Sequence, residues 1–152
     1  MPAQVQLGHI AMPAQNPGDV ALFYRDFLGL EVTLEGTLPR LGEFVFLSDR
    51  PEEDAQTLTF MTQPDARHTA WKVESLATLK ALYADAKRRE IPIDFALNHG
   101  VTLSLYLRDP EGNSVEIYWP TGQTPDGMYA RPVDLDQPEA ALLALVSGSA
   151  PV

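Results

Sequence analysis

The sequence predicts an α+β fold: two tandem β-α-β-β-β modules followed by a short C-terminal helix. Three observations carry that prediction. Two stretches, HIAMPAQNPGDVALFYRDFLGLEV from His9 and HTAWKVESLATLKALYADAKRREIPI from His68, both open His-x-Ala, and both place a tyrosine fifteen residues on, Tyr24 and Tyr83. Each has a residue suited to cap a helix seven positions after its histidine, Asn16 and Ser75. Each then runs through helically spaced apolar residues into shorter apolar runs bounded by turn residues. Internal similarity of this kind marks a duplicated supersecondary unit.

The elements follow in order. A strand carrying His9 opens the first module. A helix over 17–28 comes next, with Val20, Phe23, Tyr24 and Phe27 on one face, then strands over roughly 30–35, 42–48 and 56–62. The second module opens on a strand carrying His68. Its helix covers 76–89, with Leu76, Leu79, Leu82 and Tyr83 on one face, and its strands cover about 91–96, 101–108 and 114–119. Asp109-Pro110-Glu111-Gly112 puts proline second and glycine fourth, the pattern of a type I turn. Residues 121–136 are rich in Pro, Gly and Asp and read as loop. Residues 137–147 read as a helix capped by Asp136, with Glu139 three positions on as in a capping box. The final GSAPV is expected to fray. The chain is thus read as a single domain over 1–152, with module one about 5–62, module two about 68–120 and a C-terminal loop and helix over 121–152.

Composition narrows the function. A length of 152 residues suits one domain with a proper core. The net charge of -10 disfavours nucleic acid and anionic membranes as partners. The one basic run, Lys87-Arg88-Arg89, sits late in a helix, where cations suit the dipole, and reads as a solvated face. Zero cysteines exclude disulfides, thiolate metal sites and a cysteine nucleophile. The chain has no apolar run of bilayer-spanning length and no leader pattern, so a cytoplasmic protein is expected.

Polar residues then stand out against this core. In SVEIYW, Val115, Ile117 and Trp119 share one face and Ser114, Glu116 and Tyr118 the other, so Glu116 lies on a strand with large groups on both sides. A buried carboxylate needs a cation, a strong hydrogen-bond network or a proton. A structural ion pair is one answer; a ligand or catalytic role is another. His9 and His68 open equivalent strands of the repeat, and with Glu116 they make up a 2-His-1-carboxylate set, which suits non-haem Fe(II), with Mn(II) as the alternative ion. His99, the third and last histidine, is suited to proton transfer, against the plainer reading of a loop residue. Tyr106 follows on the next strand, where a core aromatic with a satisfied hydroxyl is the plainer reading. Tyr118 and Trp119 read as core. The segment from Thr121 to Arg131 reads as a surface connection, with a lid as the functional option.

The segments GHIAM, FYRDFLGLEV, RHTAWKV and HGVTLSLYLRDPEGNSVEIYWP resemble the vicinal oxygen chelate superfamily, which includes glyoxalases, bleomycin-resistance proteins and extradiol dioxygenases. The likeness covers about residues 5–120, and the run from His99 to Trp119 is most similar to single-domain ring-cleaving dioxygenases of the catechol 2,3-dioxygenase type. The resemblance implies a curved, half-open mixed sheet around a metal site. It implies His9, His68 and Glu116 as the iron ligands, His99 as the acid–base histidine, and Tyr106 as the tyrosine that hydrogen-bonds a substrate oxygen. It implies an aromatic diol and O2 as partners, and a homodimer. An apolar pocket wall is expected from Phe44, Phe46, Phe60 and Trp71. Other metalloenzymes of the same scaffold are the alternatives, a glyoxalase-like isomerase or a fosfomycin-type thiol transferase with Mn(II), Zn(II) or Ni(II), as is a non-enzymatic binding protein. Glyoxalase I proteins take a fourth, acidic ligand from the last strand of the first module; TLTFMT here has no acid.

Overall fold

A computed structural model of the chain describes residues 5–123 and 129–147. The first repeat yields β1 (Gln6–Pro13), α1 (Pro17–Leu28), β2 (Glu31–Leu38), β3 (Gly42–Ser48) and β4 (Leu58–Met61). A single 3-10 turn, Pro64–Ala66, leads into the second repeat: β5 (His68–Lys72), α2 (Leu76–Arg88), β6 (Ile93–Asn98), β7 (Thr102–Arg108) and β8 (Ser114–Pro120). A two-residue strand, β9 (Arg131–Pro132), and α3 (Glu139–Ser147) complete the order. The strands form one mixed open sheet in the order β2-β3-β4-β1-β5-β8-β7-β6-β9. Apart from β9, that order is the same repeat read outward from its middle. The chain resolves into two compact units, one over Gly8–Ala70 and one holding the residues from Trp71 onward with those before Gly8.

In the first unit β2, β3 and β4 pair antiparallel, and β4 pairs parallel with β1. One sheet face packs against α1, where Ala21, Val45, Leu47 and Phe60 are buried, with Met12, Val20 and Tyr24 beside them. The apolar stripe of α1 is rotated from the expected one. Val20 and Tyr24 face the sheet, whereas Phe23 and Phe27 stack on each other in solvent, Phe27 being 75% exposed. Pro17 and Ala21, both buried, set the contact line, because a small side chain lets the helix axis approach the strands.

In the second unit β6, β7 and β8 pair antiparallel, and β9 pairs with the outer edge of β6. One face is covered by helices: Leu76, Leu79 and Ala86 of α2 and Leu142 and Val146 of α3 pack on Leu103, Leu105, Leu107 and Ile117. Trp119 lies against the same cluster, and Tyr118, on the Glu116 face of β8, is buried. Ser75 caps α2 through its side chain, which accepts the Thr78 N–H at 3.0 Å. Asn16 occupies the corresponding place before α1, yet its side chain makes no capping bond. The expected cap of α3 is also absent. The helix starts at Glu139 with Leu142 N–H donating to the Pro138 carbonyl, and the Asp136 carboxylate is instead bound by Lys87 Nζ at 2.5 Å. Proline at 138 fixes the start, since its ring favours the first turn and it has no N–H to satisfy. Arg88 and Arg89 both pair with Asp85, which accounts for the basic run as an ion-paired surface.

Two irregularities re-aim side chains within the sheet. Between β6 and β7 the register runs Ile93↔Leu107, then Phe95↔Tyr106, so Asp94 is an extra residue. Between β2 and β3 it runs Val32↔Leu47, then Leu34↔Phe46, with Thr33 extra. Each is a β-bulge, and each reverses the facing of the residues after it. The turn at Asp109 forms as expected: Gly112 N–H donates to the Asp109 carbonyl at 2.9 Å, with Gly112 at φ +82°. Hydrogen bonds from the Asn113 side chain and the Asn113 and Glu111 amides hold the Asp109 carboxyl below the usual carboxylate range.

Candidate metal centre

Strand alternation decides where His9 points. Met12 packs toward α1, so His9 and Ala11 turn to the opposite face, where Ala11 lies in a cluster with Phe44, Phe46 and Met61. His9 is 8% exposed. His68 opens β5 directly after the 3-10 turn, and that turn supplies its anchor. His68 Nδ1–H donates to the Ala66 carbonyl at 2.6 Å. A carbonyl only accepts, so this proton sits on Nδ1, and the neutral ring presents a lone pair at Nε2. His9 Nε2 lies 3.1 Å from that atom, with the rings edge to face. Two nitrogen ligands at about 2.1 Å from one ion and about 90° apart lie about 3 Å from each other. The pair has the spacing of two cis ligands, and the Ala66 carbonyl is the kind of outer partner that orients a metal-binding imidazole.

In the second unit the face turned away from α2 and α3 carries the polar set. The register places Phe95, Tyr106 and Glu116 in one cross-strand row over β6, β7 and β8. Glu116 is 4% exposed, so the acid is buried as its sequence setting implied. Among the described residues no buried side-chain nitrogen or oxygen lacks a hydrogen-bond partner, Glu116 included. His99 stands just past β6. Its Nδ1–H donates to the Tyr129 carbonyl at 2.9 Å, which fixes the tautomer, and its Nε2 accepts from the Tyr106 hydroxyl at 3.0 Å. The Tyr106 ring lies between two others, His99 at 6.2 Å and Phe95 at 4.9 Å between centroids.

The arrangement supplies donors of the right chemistry. Among the described residues, the group of histidines and acids that could hold a metal ion is His9, His68 and Glu116. Two neutral imidazoles and a carboxylate fit a non-haem divalent ion and leave other positions for substrate. The expected aromatic wall is only half realised. Phe44 and Phe46 lie on the His9 face, but Phe60 packs with Tyr24 of α1, and alternation along β5 sends Trp71 away from His68. A lid over Thr121–Arg131 falls partly on 124–128, outside the described residues, as does the terminal GSAPV. Two participants were missed from the sequence. Tyr129 acts through a backbone carbonyl, which no side-chain pattern reveals. Phe95 faces this site only because of the bulge, and alternation alone would have sent it to the core.

Residues 6–117 match the Glyoxalase/Bleomycin resistance protein/Dioxygenase superfamily. The chain belongs to that superfamily. It is 41% identical over 59 residues to biphenyl-2,3-diol 1,2-dioxygenase 2 of Rhodococcus globerulus, a stretch that is 39% of this chain and 31% of that relative. Homoprotocatechuate 2,3-dioxygenase from Arthrobacter globiformis shares the fold, with a TM-score of 0.65 at 23% identity over 81% of this chain and 38% of that one. So does a Mn(II)-bound glyoxalase from Novosphingobium aromaticivorans, with a TM-score of 0.61 at 14% identity over 75% of this chain and 38% of that one. The chain therefore spans about a third of the length of these superfamily members. Biphenyl-2,3-diol dioxygenases are among its sequence relatives, and a glyoxalase shares its fold. No described helix is long and apolar enough to cross a membrane.

Proposed function

We propose that the protein is an extradiol ring-cleaving dioxygenase that inserts both atoms of O2 into a catechol-type diol, with His9, His68 and Glu116 holding a non-haem Fe(II), or Mn(II) as the alternative ion. The observation that carries this reading is the His99–Tyr106 pair, hydrogen-bonded on the sheet face that also bears the buried Glu116. When bound, the ion supplies Lewis acidity and a route for electrons between diol and O2. The chain's own residues manage the protons. The Tyr129 carbonyl keeps a proton on Nδ1 of His99, so any proton that His99 gains or gives passes through Nε2. Once the Tyr106 hydroxyl turns its proton from Nε2 to the substrate, the Nε2 lone pair is open to take the proton of a diol hydroxyl within reach. The Tyr106 hydroxyl, already at hydrogen-bond distance from Nε2, donates to the substrate oxygen as negative charge develops there. A divalent ion held there would compensate the buried carboxylate, and the two imidazoles would add neutral donors, so that no uncompensated acid is left in the core. A homodimer in the cytoplasm belongs to the same proposal, on the family likeness and the exposed edge of β2.

The test is oxygen uptake by protein loaded anaerobically with Fe(II), against a panel of substituted catechols. Uptake with a coloured ring-fission product, lost in Glu116→Ala along with the metal, is expected. His99→Ala should keep its metal and lose about 10²–10⁴-fold in turnover, the usual worth of a general acid–base group. Stoichiometric metal with no uptake across the panel overturns the reading and moves the search to thiol and aldehyde substrates.

A further inference from the structure

The second unit holds a cavity that the proposed chemistry does not use. Its volume is about 400 Å³, and it is lined by Val5, Gln6, Lys72, Glu74, Trp119 and Pro120. All of these belong to the one compact unit. The cavity lies where β5 and β8 end side by side, the Val73 N–H donating to the Tyr118 carbonyl at 2.9 Å. Pro120 stands four residues beyond Glu116 on β8, about 13 Å along the strand, and Trp119 turns to the face opposite Glu116. The cavity is thus separate from the place of the buried acid, and its size is that of a small-molecule site.

Its lining combines an apolar wall with two charges of opposite sign. Trp119 packs against the core cluster yet is only half-buried, so part of its indole faces the cavity, beside Pro120 and Val5. Lys72 is the last residue of β5, and Glu74 directly precedes the Ser75 cap of α2. Among the described residues neither side chain makes an ion pair or a hydrogen bond, with each other or elsewhere. Two residues of chain keep their Cα atoms within about 7 Å, so both heads can converge on charges carried by a single carbon.

That combination selects by charge. A purely anionic ligand would meet Glu74, and a purely cationic one would meet Lys72; like charges set together suppress the wrong partner. A neutral ligand would leave both ions without a partner. A ligand bearing a carboxylate and an ammonium satisfies both through charge-assisted hydrogen bonds, and an apolar side chain on it covers the indole. We propose that this cavity is a second binding site, for a free α-amino acid with an aromatic or large aliphatic side chain. Lys72 takes the carboxylate, Glu74 the ammonium and Trp119 the side chain. The site stands apart from the ring-cleavage reading and needs neither the diol nor the metal.

The experiment is calorimetry on the full chain with L-phenylalanine, 3-phenylpropionate and 2-phenylethylamine, run on Fe(II)-loaded protein and again after chelation. The indole N–H NMR signal of Trp119 is followed in the metal-free sample. L-Phenylalanine should bind in both metal states and move the Trp119 signal. Each analogue, lacking one charge, should bind about tenfold or more weakly, the scale of one hydrogen bond to a charged group. Lys72→Met should weaken L-phenylalanine by a similar factor and leave 2-phenylethylamine no weaker. Glu74→Gln should weaken L-phenylalanine and leave 3-phenylpropionate no weaker. That crossed pattern is one that a general loss of structure would not produce. Absence of binding at millimolar amino acid overturns the proposal. So does equal binding of the analogues, or unchanged affinity in both variants. Binding confined to the Fe(II)-loaded protein overturns it too, since the amino acid would then be chelating the ion.

Discussion

The two units place their side chains by the same device and fill the places differently. In each, a bulge on the strand after the helix turns one residue onto the face away from that helix, Leu34 in the first unit and Phe95 in the second. From there the register continues across two more strands. In the first unit the row is Leu34, Phe46 and Thr59; in the second it is Phe95, Tyr106 and Glu116. The backbone is repeated, and the ionisable groups sit on one copy. A duplicated scaffold supplies equivalent positions, and chemistry then needs substitutions at only two or three of them. The first unit retains its contribution at the strand that opens each repeat, where both copies carry a histidine.

The sharpest way to break this comparison is to remove the third member of each row. Glu116→Ala should lower metal affinity by more than about 100-fold, beyond the upper end of what changes to outer-shell partners cost. Thr59→Ala should leave metal content unchanged. It removes the acceptor of the Gln56 amide, a hydrogen bond of 2.5 Å, and should cost stability on the order of 1 kcal/mol. Metal analysis after dialysis, with urea unfolding, reads both. Equal metal loss in the two variants would mean that the rows are not functionally distinct.

The helices differ next. α2 presents Leu79, fully buried, to its sheet, whereas α1 leaves Phe27 three-quarters exposed. Leu79→Ala should destabilise the protein by about 2–5 kcal/mol through lost burial and the cavity left behind. Phe27→Ala should stay within about 0.5 kcal/mol, as surface changes do. Chemical unfolding checks the pair. A large loss at Phe27 would show that its exposed face is covered in solution.

Element order and most boundaries were legible in the sequence, because helix spacing, turn residues and the doubled His-x-Ala start are local signals. The helix over 17–28 and the strand over 42–48 are found as expected. What could not be read was set by packing or by backbone. Val20, Phe23, Tyr24 and Phe27 form one apolar stripe by spacing, but the small Ala21 at the contact line rotates the helix and leaves two of them in water. The bulges at Thr33 and Asp94 carry no glycine or proline to announce them. β9 exists as two residues because Asn98 and Leu97 offer an edge to Arg131 and Pro132. For the candidate site, residue types marked His9, His68, His99, Tyr106 and Glu116. The tautomer of His99 depends on a carbonyl thirty residues away in a loop, and that is invisible to any reading of side chains.

The smallest expected difference lies in the helix caps. Asn16 and Ser75 hold the same place in the repeat, and both residue types are good caps. Ser75 has extended backbone angles, φ -140° and ψ 151°, from which its hydroxyl reaches the Thr78 amide. Asn16 sits at φ -128° and ψ 81°, and its side chain makes no such bond. Pro17 comes directly after it and removes one of the amides that a cap would otherwise help to satisfy. Ser75→Ala should therefore cost about 1 kcal/mol, and Asn16→Ala only a few tenths. The measurement is urea unfolding of both variants under identical conditions, with the midpoint shift read against an unchanged slope. If Asn16→Ala costs as much as Ser75→Ala, the first helix is side-chain capped in solution, and at this position the two copies are the same.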